Sequence, residues 1–327
     1  MSLRLEMLQV ARLAPKLLGE STGLVRDFLL SRQNKDGGFQ DRSGESDLYY
    51  TVFGLDGLLA LQVSAQQSAD LNPTGNVAER LNQTARYASA FSEGEGLDLV
   101  HLCCLARAWG TLCGQGHASP PPPQVHSGIL KRLEGFRSRD GGYNPQPAGE
   151  CGTAYGCFLA MGAYQDLGAE MPEPSRVAQC LRGLESDDGA WVNERVPAPS
   201  TSRQLAGRIL RPETGSTNAT AAAVTALRNL SAPVRPTAGD WLLSRAHRDG
   251  GFLAAPNAPL PDLLSTATAL HALAGLQVSV EHLRETCLDF IDSLWTNEGG
   301  FHGHWGDDLL DCEYTYYGLL ALGHLSL

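Results

Sequence analysis

Asp36-Gly37-Gly38-Phe39 is the first of five related phrases that set the plan of this chain. The others are Asp140-Gly141-Gly142-Tyr143, Asp188-Gly189-Ala190-Trp191, Asp249-Gly250-Gly251-Phe252 and Glu298-Gly299-Gly300-Phe301. An acid, a glycine, a small residue and an aromatic in that order, five times over, is an internal repeat. Counted at the third position, the phrases are 104, 48, 61 and 49 residues apart, so the first gap holds two units and a degenerate copy lies near Glu93 to Gly96. The chain therefore carries six units.

Ahead of the phrases run segments with apolar residues three and four apart, such as Val177, Cys180, Leu181 and Leu184, or Leu283, Cys287, Phe290, Ile291 and Leu294. That spacing predicts amphipathic helices. Behind each unit's turn runs a second segment that is small and apolar nearly all round: 51–61, 99–109, 154–164, 220–230, 266–276 and 315–325. A helix with no polar face is buried on every side. The glycines admit positive φ in the turn between the two helices, and the aromatic wedges against the neighbouring hairpin. One hairpin cannot bury its apolar face alone, whereas six inner helices packed within six outer ones close on themselves. The expected fold is thus all-α, an (α/α)6 toroid of six helical hairpins forming one domain over residues 1–327. An open helical solenoid serving as a protein-binding scaffold is the alternative. The proline run from Ser119 to Pro123 and the stretch from Asn193 to Ser216 then connect hairpins, and Met1-Ser2-Leu3 is given no structural weight.

Composition is that of a globular protein, with 43% hydrophobic and 19% charged residues among 327. A formal charge of -11 repels phosphate backbones, so nucleic acid is not an expected partner. No apolar run reaches the roughly 18 residues that span a bilayer, and no basic segment leads into an apolar one at the start. A cytoplasmic protein without membrane insertion is expected. The eight cysteines, Cys103, Cys104, Cys113, Cys151, Cys157, Cys180, Cys287 and Cys312, lie scattered in apolar stretches without CxxC pairs, and read as reduced, mostly buried thiols.

With these repeats the chain resembles the protein prenyltransferase β subunits, which share their toroid with squalene and oxidosqualene cyclases. The nearest local likeness is to the Rab geranylgeranyltransferase type, in Leu260-Pro261-Asp262 and in Gly299-Gly300-Phe301 followed by Asp311-Cys312-Glu313-Tyr314-Thr315-Tyr316-Tyr317-Gly318. The resemblance implies an isoprenoid ligand, a zinc ion and a helical α-type partner subunit. It places zinc on the Asp of the first phrase, on a Cys two residues later and on a His in the next repeat. Here Asp262 matches, while Leu264 and Tyr314 stand at the other two positions. The basic residues that the resemblance implies for the diphosphate would precede Asp262, where this chain reads Ala254-Ala255-Pro256-Asn257-Ala258-Pro259. The zinc and diphosphate positions are largely replaced.

A rebuilt metal site would draw on Asp262, His302, His304, Asp311 and Cys312, and Cys312 at a helix N-terminus would have its thiol pKa lowered. Asp262 and Asp311 serve equally as helix N-caps. The run Asp307-Asp308-Leu309-Leu310-Asp311 spells a DDxxD pattern suited to magnesium, but in a hairpin loop it reads as a solvated acidic stretch.

In a closed ring, repeats one and six are neighbours. Asp47, Tyr49, Tyr50 and Thr51 then approach Asp311, Glu313, Tyr314, Thr315, Tyr316 and Tyr317, with Trp305 on the adjoining loop. Carboxyl groups beside electron-rich rings suit an isoprenoid, because aromatic faces stabilise cationic carbon, and they equally suit a sealed seam of tyrosines bonded to acids. The expected function is a prenyltransferase-like transferase handling a prenyl diphosphate in a central apolar cavity, with Asp311, Cys312 and Glu313 as catalytic candidates. The alternatives are a non-catalytic toroid and a terpenoid cyclase-like enzyme in which Asp311 or Glu313 supplies the acid.

Overall fold

The computed structural model describes residues 2–61, 77–114, 116, 118–197, 209–210 and 214–327. In chain order its helices are α1 (Leu3–Ala11), α2 (Pro15–Leu18), α3 (Thr22–Ser31), α4 (Leu48–Ala60), α5 (Val77–Ala90), α6 (Leu99–Gly114) and α7 (Pro123–Glu134). There follow α8 (Ala154–Asp166), α9 (Pro174–Gly183), α10 (Thr217–Asn229), α11 (Thr237–Leu243), α12 (Leu263–Gly275), α13 (Arg284–Leu294) and α14 (Cys312–Leu325). Among the described residues three pairs of two-residue strands sit in the connections: β1 (Phe39–Gln40) with β2 (Ser46–Asp47), β3 (Val196–Pro197) with β4 (Ile209–Leu210), and β5 (Phe252–Leu253) with β6 (Pro261–Asp262).

Every inner helix starts on a side-chain oxygen. Asp47, Thr153, Ser216, Asp262 and Asp311 cap α4, α8, α10, α12 and α14 by accepting from backbone N–H groups in the first turn. Asp98 accepts from His101 N–H at the start of α6. These caps begin four of the helices three residues ahead of the expected segments. An apolar pattern marks the buried part of a helix, whereas the first turn is set by its cap. The inner helices touch in the order α4, α6, α8, α10, α12, α14 and return from α14 to α4, so the ring is closed and the open solenoid does not apply.

One threonine hydroxyl, four residues into the repeat from the cap, ties the turn to the helix. The N–H of Phe39, Trp191, Phe252 and Phe301 donates to the hydroxyl of Thr51, Thr220, Thr266 and Thr315. Each hydroxyl in turn donates to its cap's carbonyl, at Asp47, Ser216, Asp262 and Asp311. In the third repeat Cys157 takes the threonine's place, and Thr153 N–H donates to the Tyr143 carbonyl, as Ser216 N–H does to that of Trp191 in the fourth. The five turn aromatics, Phe39, Tyr143, Trp191, Phe252 and Phe301, are all buried.

The turn glycines also join one repeat to the next. Gly299 has φ 92°, and a Cβ there would lie 2.2 Å from the Leu24 carbonyl oxygen on α3, so the sixth turn sits directly on the first outer helix. Gly250 meets the Thr286 carbonyl on α13 in the same way. Only glycine combines a positive φ with such close backbone approach.

Helix α1 crosses one end of the barrel and contacts α4, α8 and α14. Leu3 N–H donates to Gln165 Oε1 at 2.8 Å, and Arg4 pairs with Asp166 at 2.8 Å. Glu6 pairs with Arg228 at 3.4 Å. These partners end α8 and α10, so α1 floors the ring. The start of the chain therefore has structural weight after all, with Ser2 capping α1 and Leu3 only 3% exposed. Among the described residues, no helix is long and apolar enough to cross a membrane. All eight cysteines are free, and six of them are buried.

Candidate functional site

Because each inner helix starts on its cap, residues can be compared at equal distances from it, and most of the inner-helix residues that line the cavity fall at three such positions. Two residues after the caps stand Tyr49, Val100, Tyr155, Asn218, Leu264 and Glu313; six after, Phe53, Cys104, Leu159, Ala222, Thr268 and Tyr317; nine after, Asp56, Arg107, Gly162, Thr225, His271 and Leu320. These spacings follow one face of a 3.6-residue helix. They build a mouth tier, a middle tier and a floor tier.

Between these tiers lies a cavity of about 370 Å³, within the usual range for small-molecule sites. One wall carries the rings of Tyr49, Phe53, Tyr155, Phe158 and Tyr317, and the other carries Asn218, Ala222, Thr225, Leu264, Thr268 and His271. Met7 of α1 lies beneath. A recess of about 50 Å³ continues past Phe53 and Tyr155 towards Leu3 and Arg4. The Phe53 ring lies 5.4 Å from that of Tyr317 and 5.8 Å from that of Tyr316. Arg107 stands 5.6 Å over the Phe53 ring, its charge met by the fully buried Asp56.

At the mouth, α4 and α14 bring two of the expected residues together. The Tyr49 hydroxyl donates to Glu313 Oε1 at 2.5 Å, and Tyr50 stacks edge-on to Tyr49 with centroids 5.6 Å apart. Burial pushes the Glu313 carboxyl up to about 7, the Tyr49 bond opposes that shift and the neighbouring Asp311 adds to it. Near neutral pH, Glu313 is therefore poised between acid and carboxylate.

Asp311 is occupied elsewhere. It caps α14 through Tyr314 N–H, and Arg42 Nε donates to it at 2.8 Å while the same guanidinium reaches Asp307 at 2.9 Å. The DDxxD stretch is only in part a solvated acidic loop: Asp308 is exposed, whereas Asp307 and Asp311 are drawn in around one arginine from the β1–β2 turn. Arg42 also stands 5.4 Å over the Tyr314 ring. Asp47 caps α4 and lies 3.0 Å from His101 Nε2, whose other ring nitrogen is 2.8 Å from Asp98. Burial works against the charged form of His101, but the two carboxylates raise its pKa.

Cys312 sits one residue after its cap, and this position is core in every repeat: Leu48, Leu99, Ala154, Thr217, Leu263 and Cys312 are all buried. Burial pushes the thiol's pKa well up, so the expected lowering by the helix N-terminus is overturned. Tyr316 is fully buried between Phe53 and Tyr317, outside the cavity lining. Trp305 is 42% exposed, donates to Ser293 on α13 and packs on Phe290, away from the cavity.

The residues for a rebuilt zinc site do not fit the ion. Asp262 is engaged by Ser265 N–H and hydroxyl at 2.7 Å each. His302 Nδ1 lies 3.2 Å from the Leu309 carbonyl, and His304 Nδ1 accepts from Gly306 N–H. Leu264, at the position implied for a Cys ligand, is a cavity-lining hydrocarbon. Among the described residues no three His, Cys, Asp or Glu side chains converge as a metal group.

The sequence reading missed Phe53, Tyr155, Phe158, Asn218 and His271. Their signal was available in the register, because all lie two, five, six or nine residues after a capping Asp, Ser or Thr.

The sequence model of the prenyltransferase alpha-alpha toroid domain matches residues 13–77 and 218–326. No curated protein matches the chain. Among solved structures, the protein geranylgeranyltransferase-I of Candida albicans, complexed with GGPP, is similar with a TM-score of 0.61 and 13% identity, over 93% of this chain and 90% of that one. A variant of the type II terpene cyclase MstE from Scytonema, in complex with its substrate geranylgeranyl dihydroxybenzoate, has a TM-score of 0.58 and 13% identity, over 96% and 97%. A protein from Actinoplanes has a TM-score of 0.54 and 15% identity, over 93% and 97%. At these identities the likeness is one of fold.

Proposed function

The chain belongs to the prenyltransferase alpha-alpha toroid family, and within it we propose a protein that folds an isoprenoid chain into the central cavity and initiates its cyclisation with the Glu313 carboxylic acid. One observation carries this reading: a roughly 370 Å³ cavity walled by five aromatic rings, one of which, Tyr49, holds the protonatable Glu313 carboxyl behind it. Hydrocarbon fills such a space through burial of apolar surface, and ring faces stabilise cationic carbon as they do ammonium. The two solved relatives named above were determined with geranylgeranyl compounds, which agrees with a ligand of this class.

In the proposed step, the Glu313 proton passes to one carbon of an alkene. A C–H bond forms, the π bond is consumed and a carbocation is left among Tyr49, Phe53, Tyr155, Phe158 and Tyr317. A second alkene of the same chain attacks it and closes a ring. Loss of a proton from the cyclic cation to the Glu313 carboxylate restores the acid, so the product is an isomer of the substrate. The Tyr49 hydroxyl stabilises the carboxylate while it is charged.

Transfer of a prenyl group from its diphosphate to an acceptor, the function expected from the sequence, is less favoured because Asp262, Asp311 and Cys312 are each committed to a cap, an arginine or the core. The test is to incubate the purified protein with linear C15 to C30 polyprenes and their alcohols without added metal, and to analyse extracts by mass spectrometry. A cyclic isomer formed by the wild type and absent with Glu313→Gln supports the proposal. Binding without turnover would reduce it to a non-catalytic toroid, and absence of binding would reject it.

A further inference from the structure

The wall opposite the rings is polar, and its lowest side chain has a nitrogen without a partner. His271 stands nine residues after the cap of α12, lines the cavity and is 5% exposed. Its Nδ1 lies 3.1 Å from His324 Nε2 on α14, and its Nε2 makes no hydrogen bond among the described residues. Facing that Nε2, 3.9 Å away, is Glu6 Oε1 of α1, held in place by Arg228 at 3.4 Å. At this separation the two groups do not bond directly.

The proton positions follow from what faces Glu6. If His324 Nε2–H donates to His271 Nδ1, then His271 Nε2–H points towards the Glu6 carboxylate without reaching it, and His324 Nδ1 is a bare acceptor. The reverse assignment would leave a bare N–H on His324 and set the His271 lone pair against Glu6. Each leaves one donor and one acceptor unpaired, and the first holds because it turns an N–H, not a lone pair, towards the carboxylate. Small side-chain shifts would let a ligand oxygen enter between His271 Nε2 and Glu6 Oε1, which stand 3.9 Å apart. It would accept from the imidazole and donate to the carboxylate. A hydroxyl does both, a carbonyl or ether only the first, and a hydrocarbon neither. Thr225, at the same level of α10, also lines the cavity here.

We propose that the cavity floor between His271, Glu6 and Thr225 is a hydroxyl-binding subsite, so that the ligand is an isoprenoid whose deeply seated end carries an alcohol. The inference rests on the isoprenoid reading of the cavity and adds the substrate's polarity and its direction of entry. The rings would take the hydrocarbon, and the oxygen would lie at the floor, opposite Glu313.

The experiment compares the all-trans C15 isoprenoid alcohol with the matching triene lacking oxygen, both dispersed in one detergent, by calorimetric titration of the wild type, His271→Leu and His271→Gln. A matched neutral hydrogen-bonding group predicts about tenfold tighter binding of the alcohol. His271→Leu should abolish that preference, and His271→Gln, which keeps a donor, should retain part of it. If His271→Leu does not fold, the glutamine variant and a wild-type crystal structure with the alcohol decide. Equal affinity of the wild type for both compounds overturns the subsite and leaves the isoprenoid reading standing, and so does a preference that survives in His271→Leu. An alcohol oxygen found at Tyr49 and Glu313, with an ordered water alone between His271 and Glu6, overturns it equally. If neither compound binds, the isoprenoid reading itself has failed.

Discussion

The Tyr49 hydroxyl meets the Glu313 carboxyl at 2.5 Å across the junction where the first inner helix touches the last. Two residues 264 positions apart in the chain thus share a hydrogen bond only because the ring closes. Burial raises the Glu313 pKa to about 7, so acid-initiated turnover should be high below that pH and fall as pH rises through it. Tyr49→Phe, which removes a donor to the carboxylate, should shift the fall upward and lower the maximal rate roughly tenfold to a hundredfold. A pH–rate profile that ignores both residues would show the acid to lie elsewhere.

Stability should carry the same signature. A carboxyl with a folded pKa above its unfolded one favours the protonated, folded protein. The stability it contributes is complete below about pH 4.5 and is lost as pH rises to about 7. The wild type should therefore lose up to about 3 kcal/mol between these limits from this group. Urea unfolding of the wild type and Glu313→Gln at pH 5 and pH 8 measures the difference, which should be smaller in the variant.

Asp166 and Arg4 form a second pH-dependent pair, at the floor. Asp166 is buried, and burial outweighs the opposing effect of Arg4 to push it up to about 6. Arg4→Met leaves a buried carboxylate without its cation, which costs about 3–5 kcal/mol. The loss should be full at pH 8 and much smaller at pH 5, where Asp166 takes up a proton. An equal loss at both pH values would mean that Arg4 contributes packing alone.

Ring closure can be tested at Gly299. A methyl group there meets the Leu24 carbonyl at 2.2 Å and the backbone has φ 92°, whereas Gly44, with φ 93°, has nothing within 4 Å of its added Cβ. Gly44→Ala should cost about 1–2 kcal/mol from backbone strain alone. Gly299→Ala should cost at least about 2 kcal/mol more, since α3 must move away. Thermal unfolding of the two variants side by side separates strain from steric closure.

Ala222 faces the cavity from the middle tier of α10 and is 8% exposed. Ala222→Phe should fill the cavity, change stability by less than about 1.5 kcal/mol, and abolish isoprenoid binding in calorimetric titration. Retained binding would place the ligand outside this cavity.

Much of the architecture was legible because it depends on local patterns repeated six times. The acid-glycine-glycine-aromatic turns and the apolar inner segments specify hairpins that cannot bury themselves singly, and Asp262 and Asp311 appear as caps as their residue types allow. The meeting of Tyr49 with Glu313 was likewise visible once a ring was assumed. Arg42 was not, because nothing local says that a turn arginine of the first repeat will gather Asp307 and Asp311 of the sixth. Cys312 was misjudged for a related reason: its place at a helix N-terminus predicts a reactive thiol, while its place one residue after a cap, shared with Leu48, Leu99 and Leu263, makes it core. Trp305 looked like a cavity residue on its loop, yet its ring packs outward on Phe290.

The sequence by itself determined the all-α hairpin repeat and its number, since turn glycines, capping oxygens and helical periodicity act over a few residues. Only the tertiary structure decided which faces of the inner helices meet across the axis. It set Phe53, Tyr155 and Tyr317 on one wall, brought His271 near Glu6, and floored the barrel with a helix that the repeat pattern does not contain. Burial also raises the pKa values of Glu313 and Asp166, because desolvation depends on every element packed around a group and on no short stretch of chain.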